Sequence, residues 1–563
     1  MTHVITQTCC NDAACVPVCP ADCIHPAPRE AGFAAAEMLW IDPEECIDCG
    51  ACTDVCPVDA IHPENRLPEA LQPFVEINSM FAHLRRTSLA RDSAQKPPAP
   101  AERTIEPSRP VAASGGPLRV AIIGTGPSAT FVAEELLAAA GPGVRLSVFD
   151  RLPVAGGLVR FGVAPDHGDT KRALRRFPRI AQDPRVSLFL NVEIGGHVQV
   201  AELLEHHHAV IAAVGAAGDR RLGIAGEDLP GCHSAREFVA WYNGHPDHAG
   251  TAWDLSGERV VVIGNGNVAL DVARILTADP DELAATDIAE HALQALRESN
   301  VREVVVVGRR GPEAAAFTFP ELVGLSRLTG TTVRATGVEP SDAITAPRDP
   351  AGLPAALKTG LVAELAGRWR DDRRTIQLRF LRSPVAVLGD GSVAGVRLGV
   401  NRTTADGIEP TGETEDLACG LVLRSIGYDV VPLPGLPFDA QRRTIPHAAG
   451  RVIDPGSREP LAGLYVTGWV KRGPSGMIGT NRPDACETVA CLLEDFRSGR
   501  LAEPALGRDD LAALIAERRP RAVDLNGWLR IEKHEVGKGS EAGRPRHKLV
   551  SIPEMELIAR GGA

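Results

Sequence analysis

Twelve consecutive residues carry the most specific chemistry in this chain: Cys46-Ile47-Asp48-Cys49-Gly50-Ala51-Cys52-Thr53-Asp54-Val55-Cys56-Pro57. The spacing C-x2-C-x2-C-x3-C-P wraps thiolates and backbone amides around a cubane iron–sulfur cluster. A second copy lies upstream as Cys9, Asp12, Cys15 and Cys19-Pro20, with Asp12 where the ladder would have its second cysteine. In paired ladders the fourth cysteine serves the other cluster. Cys46, Cys49, Cys52 and Cys19 are therefore expected to hold one [4Fe–4S] cluster, and Cys9, Cys15 and Cys56 the second. The fourth corner of that second site faces Asp12, a harder oxygen ligand. It is expected to be [3Fe–4S], or [4Fe–4S] with a labile aspartate-ligated iron.

Nine of the thirteen cysteines precede residue 57. A disulfide framework would also cluster cysteines, but the repeated ladder and its Cys-Pro endings fit metal ligation. The chain has 563 residues, enough for several domains. No cleavable leader precedes the ladder and no apolar run spans a bilayer, so the expected location is the cytoplasm, with no membrane span. Residues 1–80 hold thirteen acids against two bases, nearly all of the net charge of −12. Such an acidic module suits docking on a local basic patch, or solubility alone, and gives no footing for nucleic acid.

These ligands need a module, and the rest of the chain needs others. Residues 1–80 are expected to form an α+β two-cluster domain. Residues 81–117, centred on Lys96-Pro97-Pro98-Ala99-Pro100, read as a flexible linker. Such a chain spans on the order of 30 Å. At Leu118 the pattern changes. The strand Arg119–Ile123 runs into Gly124-Thr125-Gly126-Pro127-Ser128-Ala129, a helix follows, and a second strand ends at Asp150. A second such unit begins at Arg259–Ile263, turns through Gly264-Asn265-Gly266-Asn267-Val268-Ala269, and ends its next strand at Gly308-Arg309-Arg310. Two dinucleotide folds, one inserted in the other, predict an α/β flavin–nicotinamide reductase.

In the first turn, Gly124 permits a tight bend, Gly126 lets amides reach a pyrophosphate, and Ala129 allows close helix packing. Asp150 stands where an acid holds a ribose 2′-hydroxyl. The second unit has Arg309 and Arg310 at that place, a guanidinium pair suited to a 2′-phosphate and so to NADP. Two solvated arginines after a strand are the blander alternative. A late strand ends at Gly468-Trp469, where many flavoproteins have Gly-Asp, and Gly476 and Gly479 follow. His206-His207-His208 is expected to be a solvated turn.

Several strings together carry a resemblance: Gly124 to Ala129, Gly157-Leu158-Val159-Arg160, Gly162 to His167, Gly264 to Asp271, Gly308 to Pro312 and Lys471-Arg472-Gly473-Pro474. Residues 118–500 resemble the adrenodoxin-reductase branch of ferredoxin–NADP reductases. With its cluster domain the whole chain resembles actinobacterial ferredoxin/ferredoxin–NADP reductase fusions of the FprB type. The resemblance implies FAD at Gly124, Ser128, Asp150, Leu158, Ile194, Trp469 and Gly476, Met477 and Ile478. It implies NADP at Arg220, Asn265, Gly266, Asn267, Val268, Arg309, Arg310, Glu321 and Gly476. Cys23 matches a non-ligating cysteine of seven-iron ferredoxins, and Cys10 is a second spare thiol. His167 matches a histidine that pairs with an acid near the flavin. The relatives' acid lies three residues beyond Glu321, where this chain has Gly324. Glu321 or Asp271 serves instead, or the couple is absent and His167 is a structural hydrogen-bonder.

The expected boundaries are 1–80 for the iron–sulfur domain, 118–220 with 425–500 for the FAD domain, 221–424 for the NADP domain, and 501–563 for an extension without an assigned role. His167, Glu321, Asp271 and Trp469 form the candidate catalytic set. The expected activity moves electrons between NADPH, FAD and the clusters, with a ferredoxin or other iron–sulfur protein, and a monooxygenase system beyond it, as partners. Two rivals are an electron-supplying subunit of a glutamate-synthase-like complex and an iron–sulfur redox sensor.

Overall fold

The computed structural model describes residues 2–30, 32–92, 116–338, 347, 349–368, 374–404 and 407–562. Residues 93–115 of the expected linker lie outside the described residues. The described residues form two compact units, one drawn from 2–92, 164–170 and 220–426, the other from 116–163, 171–219 and 427–562. The first unit thus joins the cysteine-rich module to the second dinucleotide fold.

The cysteine module is built on two short antiparallel pairs, His3–Ile5 with Ile61–Pro63 and Ile24–His25 with Trp40–Ile41. The helix Pro73–Asp92 packs across both. Buried Asn78 ties them together. Its Oδ1 accepts the N–H groups of Ile5 and Ile41, and its Nδ2 donates to the carbonyls of Ile5 and Phe74. This helix carries residues 81–92 out of the stretch expected to be linker. Phe74, Ile77, Phe81 and Ala82 recur at helical spacing and are all buried. Arg85 and Arg86 pair with Glu30 and Asp42 at 3.1 and 2.5 Å. The Pro- and Ala-rich bias further along obscured that period.

In the same unit six parallel strands lie in the order Cys232–Ser234, Leu421–Arg424, Arg259–Ile263, Glu303–Val307, Arg374–Arg379 and Thr331–Thr336. The central strands Arg259–Ile263 and Glu303–Val307 are covered on both faces, which is why they read as near-continuous valine. One apolar core takes in Val4, Trp40 and Phe74 of the cysteine module together with Phe319, Val323 and Leu353 of the dinucleotide fold.

The second unit holds a seven-stranded sheet. Its order is His447–Ala448, Arg451–Ile453, Pro460–Val466, Ala209–Ala212, Leu118–Ile123, Val144–Asp150 and Val186–Leu190. The last five strands are parallel. Residues beyond 500 belong to this core. The helices Arg508–Arg518, Leu525–Glu541 and Ile552–Ala559 supply Leu511, Trp528, Ile531 and Met555 to it. Fully buried Glu535 receives Arg160 at 2.6 Å and Arg546 at 2.5 Å, so the carboxy-terminal segment fixes a residue of the Gly157–Phe161 helix.

The three histidines expected at a solvated turn are buried instead. His206 Nδ1 meets the Gly507 carbonyl, and His207 lies between the Leu203 carbonyl and Ser147 Oγ at 2.8 and 2.9 Å. His208 Nδ1 accepts the Arg119 N–H. Polarity marked the turn, but the tail helices cover it and each ring is satisfied. Burial lowers the His207 pKa to about 4. The unfolded chain gains this proton near the ordinary value of 6.5, whereas the folded chain takes it up only near 4. Stability is therefore complete above the unfolded value and is lost as pH falls through that window. Urea unfolding across the window should show His207→Gln with a shallower acid limb, by up to about 1.4 kcal/mol per pH unit. An identical slope in both proteins would exclude this histidine as the source.

Candidate functional site

The cysteines converge on two small cavities. One is lined by Cys9, Cys10, Asp12, Cys15 and Cys56 among Ile5, Leu39, Val58, Ala60 and Ile61. The other is lined by Cys19, Cys23, Cys46, Cys49 and Cys52. Each cavity thus takes one ladder's first cysteines and the other ladder's last. Leu39 N–H donates to Cys9 Sγ at 3.5 Å and Ala60 N–H to Cys56 Sγ at 3.2 Å. Thiols on apolar walls, with amides aimed at sulfur, are the donor set an iron–sulfur cluster needs. Burial pushes the Cys9 thiol up to about 12 and Cys52 to about 11, so ligation must displace protons. The two cysteines outside the ladders also line these walls, and Cys23 Sγ lies 3.3 Å from Cys19 Sγ. Asp12 Oδ1 accepts the Ala14 N–H at 3.2 Å.

In the second unit the first glycine turn is closely packed. Gly124 has φ +112°, and a Cβ there would stand 2.6 Å from the Ala213 carbonyl oxygen. Gly157 would put a Cβ 2.9 Å from the Gly126 Cα, so the two backbones meet without side chains. Asp150 is fixed from the same turn. Its Oδ2 accepts both the N–H and the hydroxyl of Thr125, and its Oδ1 the N–H of Leu152. Burial raises its carboxyl, against the Thr125 hydrogen bonds. Oδ1, which accepts only the Leu152 N–H, keeps a lone pair for a ribose hydroxyl. Ala129 is buried in the helix that follows. Ser128 Oγ donates to Asn481 Oδ1 at 2.8 Å and packs on Gly468, where a Cβ would overlap it. Trp469 is half-buried, its Nε1 on the Ser475 carbonyl and its ring 5.2 Å from Tyr428. Leu158, Ile194, Gly476, Met477 and Ile478 all fall in this unit. This glycine cradle and its anchored acid fit a flavin dinucleotide. Thr125 and Asn481 hold the expected residues and were missed, because their roles follow from contacts rather than a motif.

The second turn lies in the first unit. Gly264 has φ +112° and faces the Ser425 carbonyl oxygen, 2.1 Å from its would-be Cβ. Asn265 packs under Gly308, and its carbonyl accepts the Phe317 N–H. Gly266 is the N-cap of the helix Asn267–Thr277, on whose first turn Val268 is half-buried. Arg309 and Arg310 are exposed at the sheet end, and Asn401 anchors the Arg309 carbonyl at 3.0 Å. Among the described residues neither guanidinium has an ion-pair partner. Arg220 is exposed in the same unit.

Residues 164–170 also belong to this first unit. His167 stands between two carboxylates, its Nδ1 3.9 Å from Asp271 and its Nε2 3.9 Å from Glu321. Arg274 fixes the constellation, binding Asp271 at 2.7 Å and Asp166 at 2.5 Å. Burial raises the Glu321 carboxyl, and Asp271 adds to that against the opposing charge of His167. Burial also acts on Asp166, but Arg274 overrides it and holds that carboxyl below its usual range. Both acids considered for His167 are thus placed beside it, one at each nitrogen. Arg274 had no sequence signal beyond its position one turn past Asp271.

A family model described as a 4Fe-4S binding domain matches residues 39–62. The chain is 50% identical over 568 residues to a probable ferredoxin/ferredoxin–NADP reductase of Mycobacterium tuberculosis (strain ATCC 25618 / H37Rv), covering 99% of this chain and 95% of that one. It is 41% identical over 461 residues to the mitochondrial NADPH:adrenodoxin oxidoreductase of Salvelinus fontinalis, covering 78% and 91%. The solved structure of Mycobacterium tuberculosis FprA in complex with NADPH matches with a TM-score of 0.74 at 44% identity, covering 79% of this chain and all of that one. No described helix is long and apolar enough to cross a membrane. Strain at the first turn gives a direct test of the cradle. Gly124→Ala should weaken flavin retention roughly 10- to 100-fold, read as the flavin-to-protein ratio after desalting. Full occupancy in that variant would remove the turn from the site.

Proposed function

This chain belongs to the ferredoxin/ferredoxin–NADP reductase family, and from that premise we propose how its own residues divide the work. It is a ferredoxin–NADP reductase, an FAD-dependent oxidoreductase with a [4Fe–4S] module of its own. When bound, NADPH would supply one hydride, FAD would take up its two electrons, and the clusters would carry electrons one at a time.

The protein's contribution is binding and orientation. Gly124, Gly126 and Ser128 let the backbone close on the flavin pyrophosphate, and Asp150 holds its ribose. Leu158, Ile194, Trp469 and residues 476–478 supply the walls. Gly264 to Val268 take the NADP pyrophosphate, and Arg309 and Arg310 its 2′-phosphate. His167 is held by Asp271 and Glu321 as a polar group on the nicotinamide side. Cys19, Cys46, Cys49 and Cys52 hold the [4Fe–4S] cluster. Cys9, Cys15 and Cys56 hold a second cluster, which we assign as [3Fe–4S] because its cavity offers three ladder thiols with Asp12 in the place of the fourth. The observation that carries the reading is the pair of cavities, each lined by thiols from both ladders. The acceptor beyond them is an iron–sulfur protein such as a ferredoxin, with a monooxygenase system as its consumer.

Anaerobic titration with NADPH, followed by absorbance and low-temperature EPR, tests this. Flavin bleaching with a new cluster signal is expected, and the oxidised protein should already show a three-iron signal. Bleaching without any cluster signal would sink the internal relay, and a silent oxidised sample would sink the [3Fe–4S] assignment. The double substitution Arg309→Ala/Arg310→Ala should raise KM for NADPH roughly 100-fold and leave KM for NADH nearly unchanged. Equal losses with both nucleotides would place the 2′-phosphate elsewhere.

A further inference from the structure

The helix Phe319–Ser326 carries Glu321 in its first turn, and its own N-cap residue, Thr318, makes no side-chain cap. The cysteine module supplies the missing acceptor. Glu37 Oε2 takes the Phe319 N–H at 2.6 Å, while Glu37 Oε1 takes Lys358 Nζ at 2.5 Å. Lys358 is buried and lies on the neighbouring helix Leu353–Ala366. One residue earlier, the Thr318 N–H donates to Asn267 of the nucleotide turn at 2.8 Å. Two consecutive amides are thus held by two different modules, and two residues later the same backbone presents Glu321 to His167.

The other end of Glu37's segment touches the cluster cavity. The Ala36 carbonyl accepts Asn11 Nδ2 at 2.6 Å, and the Leu39 N–H points at Cys9 Sγ. A second contact seats the module further along the helix. A Cβ at Gly324 would lie 2.9, 3.2 and 3.4 Å from the Oε1, Nε2 and Cδ atoms of Gln7. The amide of Gln7, two residues before Cys9, fills the space that a side chain at 324 would use. Gly324 is thus part of the seat of the module. A side chain at 324 would require the Gln7 amide to move.

We propose that Glu37 is a positioning residue that caps the helix bearing Glu321 from the cluster module, and so couples the Cys9–Cys15–Cys56 cavity to the His167 constellation. This rests on the reading above that His167, Asp271 and Glu321 serve the nicotinamide side. The coupling is reciprocal: whatever orders residues 36–39 around the cluster orders Glu321, and the reverse. An N-terminal carboxylate is also favoured there by the helix dipole.

The test uses the full-length holoprotein, with Glu37→Ala, Glu37→Gln and Gly324→Glu. Iron and flavin contents are measured first. Hydrogen exchange is read on a peptide covering residues 317–326, and NADPH-driven dye reduction is profiled against pH. Glu37→Ala and Gly324→Glu should each speed exchange of that peptide by about tenfold and move the pH profile. Glu37→Gln, which keeps an acceptor oxygen, should restore most of the protection. Exchange within twofold of wild type in both disruptive variants would overturn the proposal. Faster exchange with an unmoved pH profile would also overturn it, leaving a structural cap only. If Glu37→Ala loses iron, Gly324→Glu decides, since it disturbs the seat from the opposite side. Failure of NADPH to reduce the wild type at all would count against the assigned reaction, while the exchange result would still judge the cap.

Discussion

A carboxylate taken out of water must find a cation or a set of N–H donors, because its unpaired burial costs several kcal/mol. That constraint organises this chain. Glu37 is answered by Lys358 and the Phe319 amide. Asp271 and Asp166 are answered by Arg274. Glu535 is answered by Arg160 and Arg546. Asp150 is answered by Thr125 and Leu152. Several of these partners come from segments far apart in sequence. Those distant pairs decide which segments meet, while the apolar strands decide only that they are buried. Hydrophobic cores tolerate exchange of similar volumes. A buried acid opposite the wrong residue does not, so these pairs fix register between elements.

The parts of the fold visible in the sequence are those with a period or a spacing. Valine runs at Arg259–Ile263 and Glu303–Val307 announced buried parallel strands, and the structure pairs them in register. The two cysteine ladders announced shared ligation, and both cavities take thiols from each. Glycine turns announced close backbone approach, and Gly124 and Gly264 meet carbonyl oxygens that exclude a side chain. What stayed hidden depends on tertiary contact. The start of the Pro73–Asp92 helix was apolar and periodic, but its end merged into a polar stretch. Its arginines find acids only once Glu30 and Asp42 are folded beside them. The three histidines are polar by type and buried by the tail, which no local window relates to them.

Candidate site residues divide along the same line. Residues proposed to touch a phosphate or a metal follow a fixed local grammar, which is how the sequence names them. Residues that hold those residues have none. Glu37 sits in an unremarkable loop, Gln7 in an edge segment, and Gly324 in a helix where glycine costs about 1 kcal/mol against alanine. Only the last left a trace in the sequence, and there the Gln7 amide lies beside the glycine.

Attaching an electron carrier by a flexible segment alone raises its local concentration into the millimolar range and leaves its orientation free. Orientation matters more than concentration for a carrier that must present one buried cluster. The described contacts solve that problem with little material. An apolar core shared by Trp40, Phe74, Phe319 and Leu353 removes water. One charged pair and one helix cap then select a single seating within it. Such a seating holds the module on its own dinucleotide fold through the Glu37 cap and the Glu37–Lys358 pair. The binding free energy that a free carrier would spend on association is instead available to order the helix that carries Glu321.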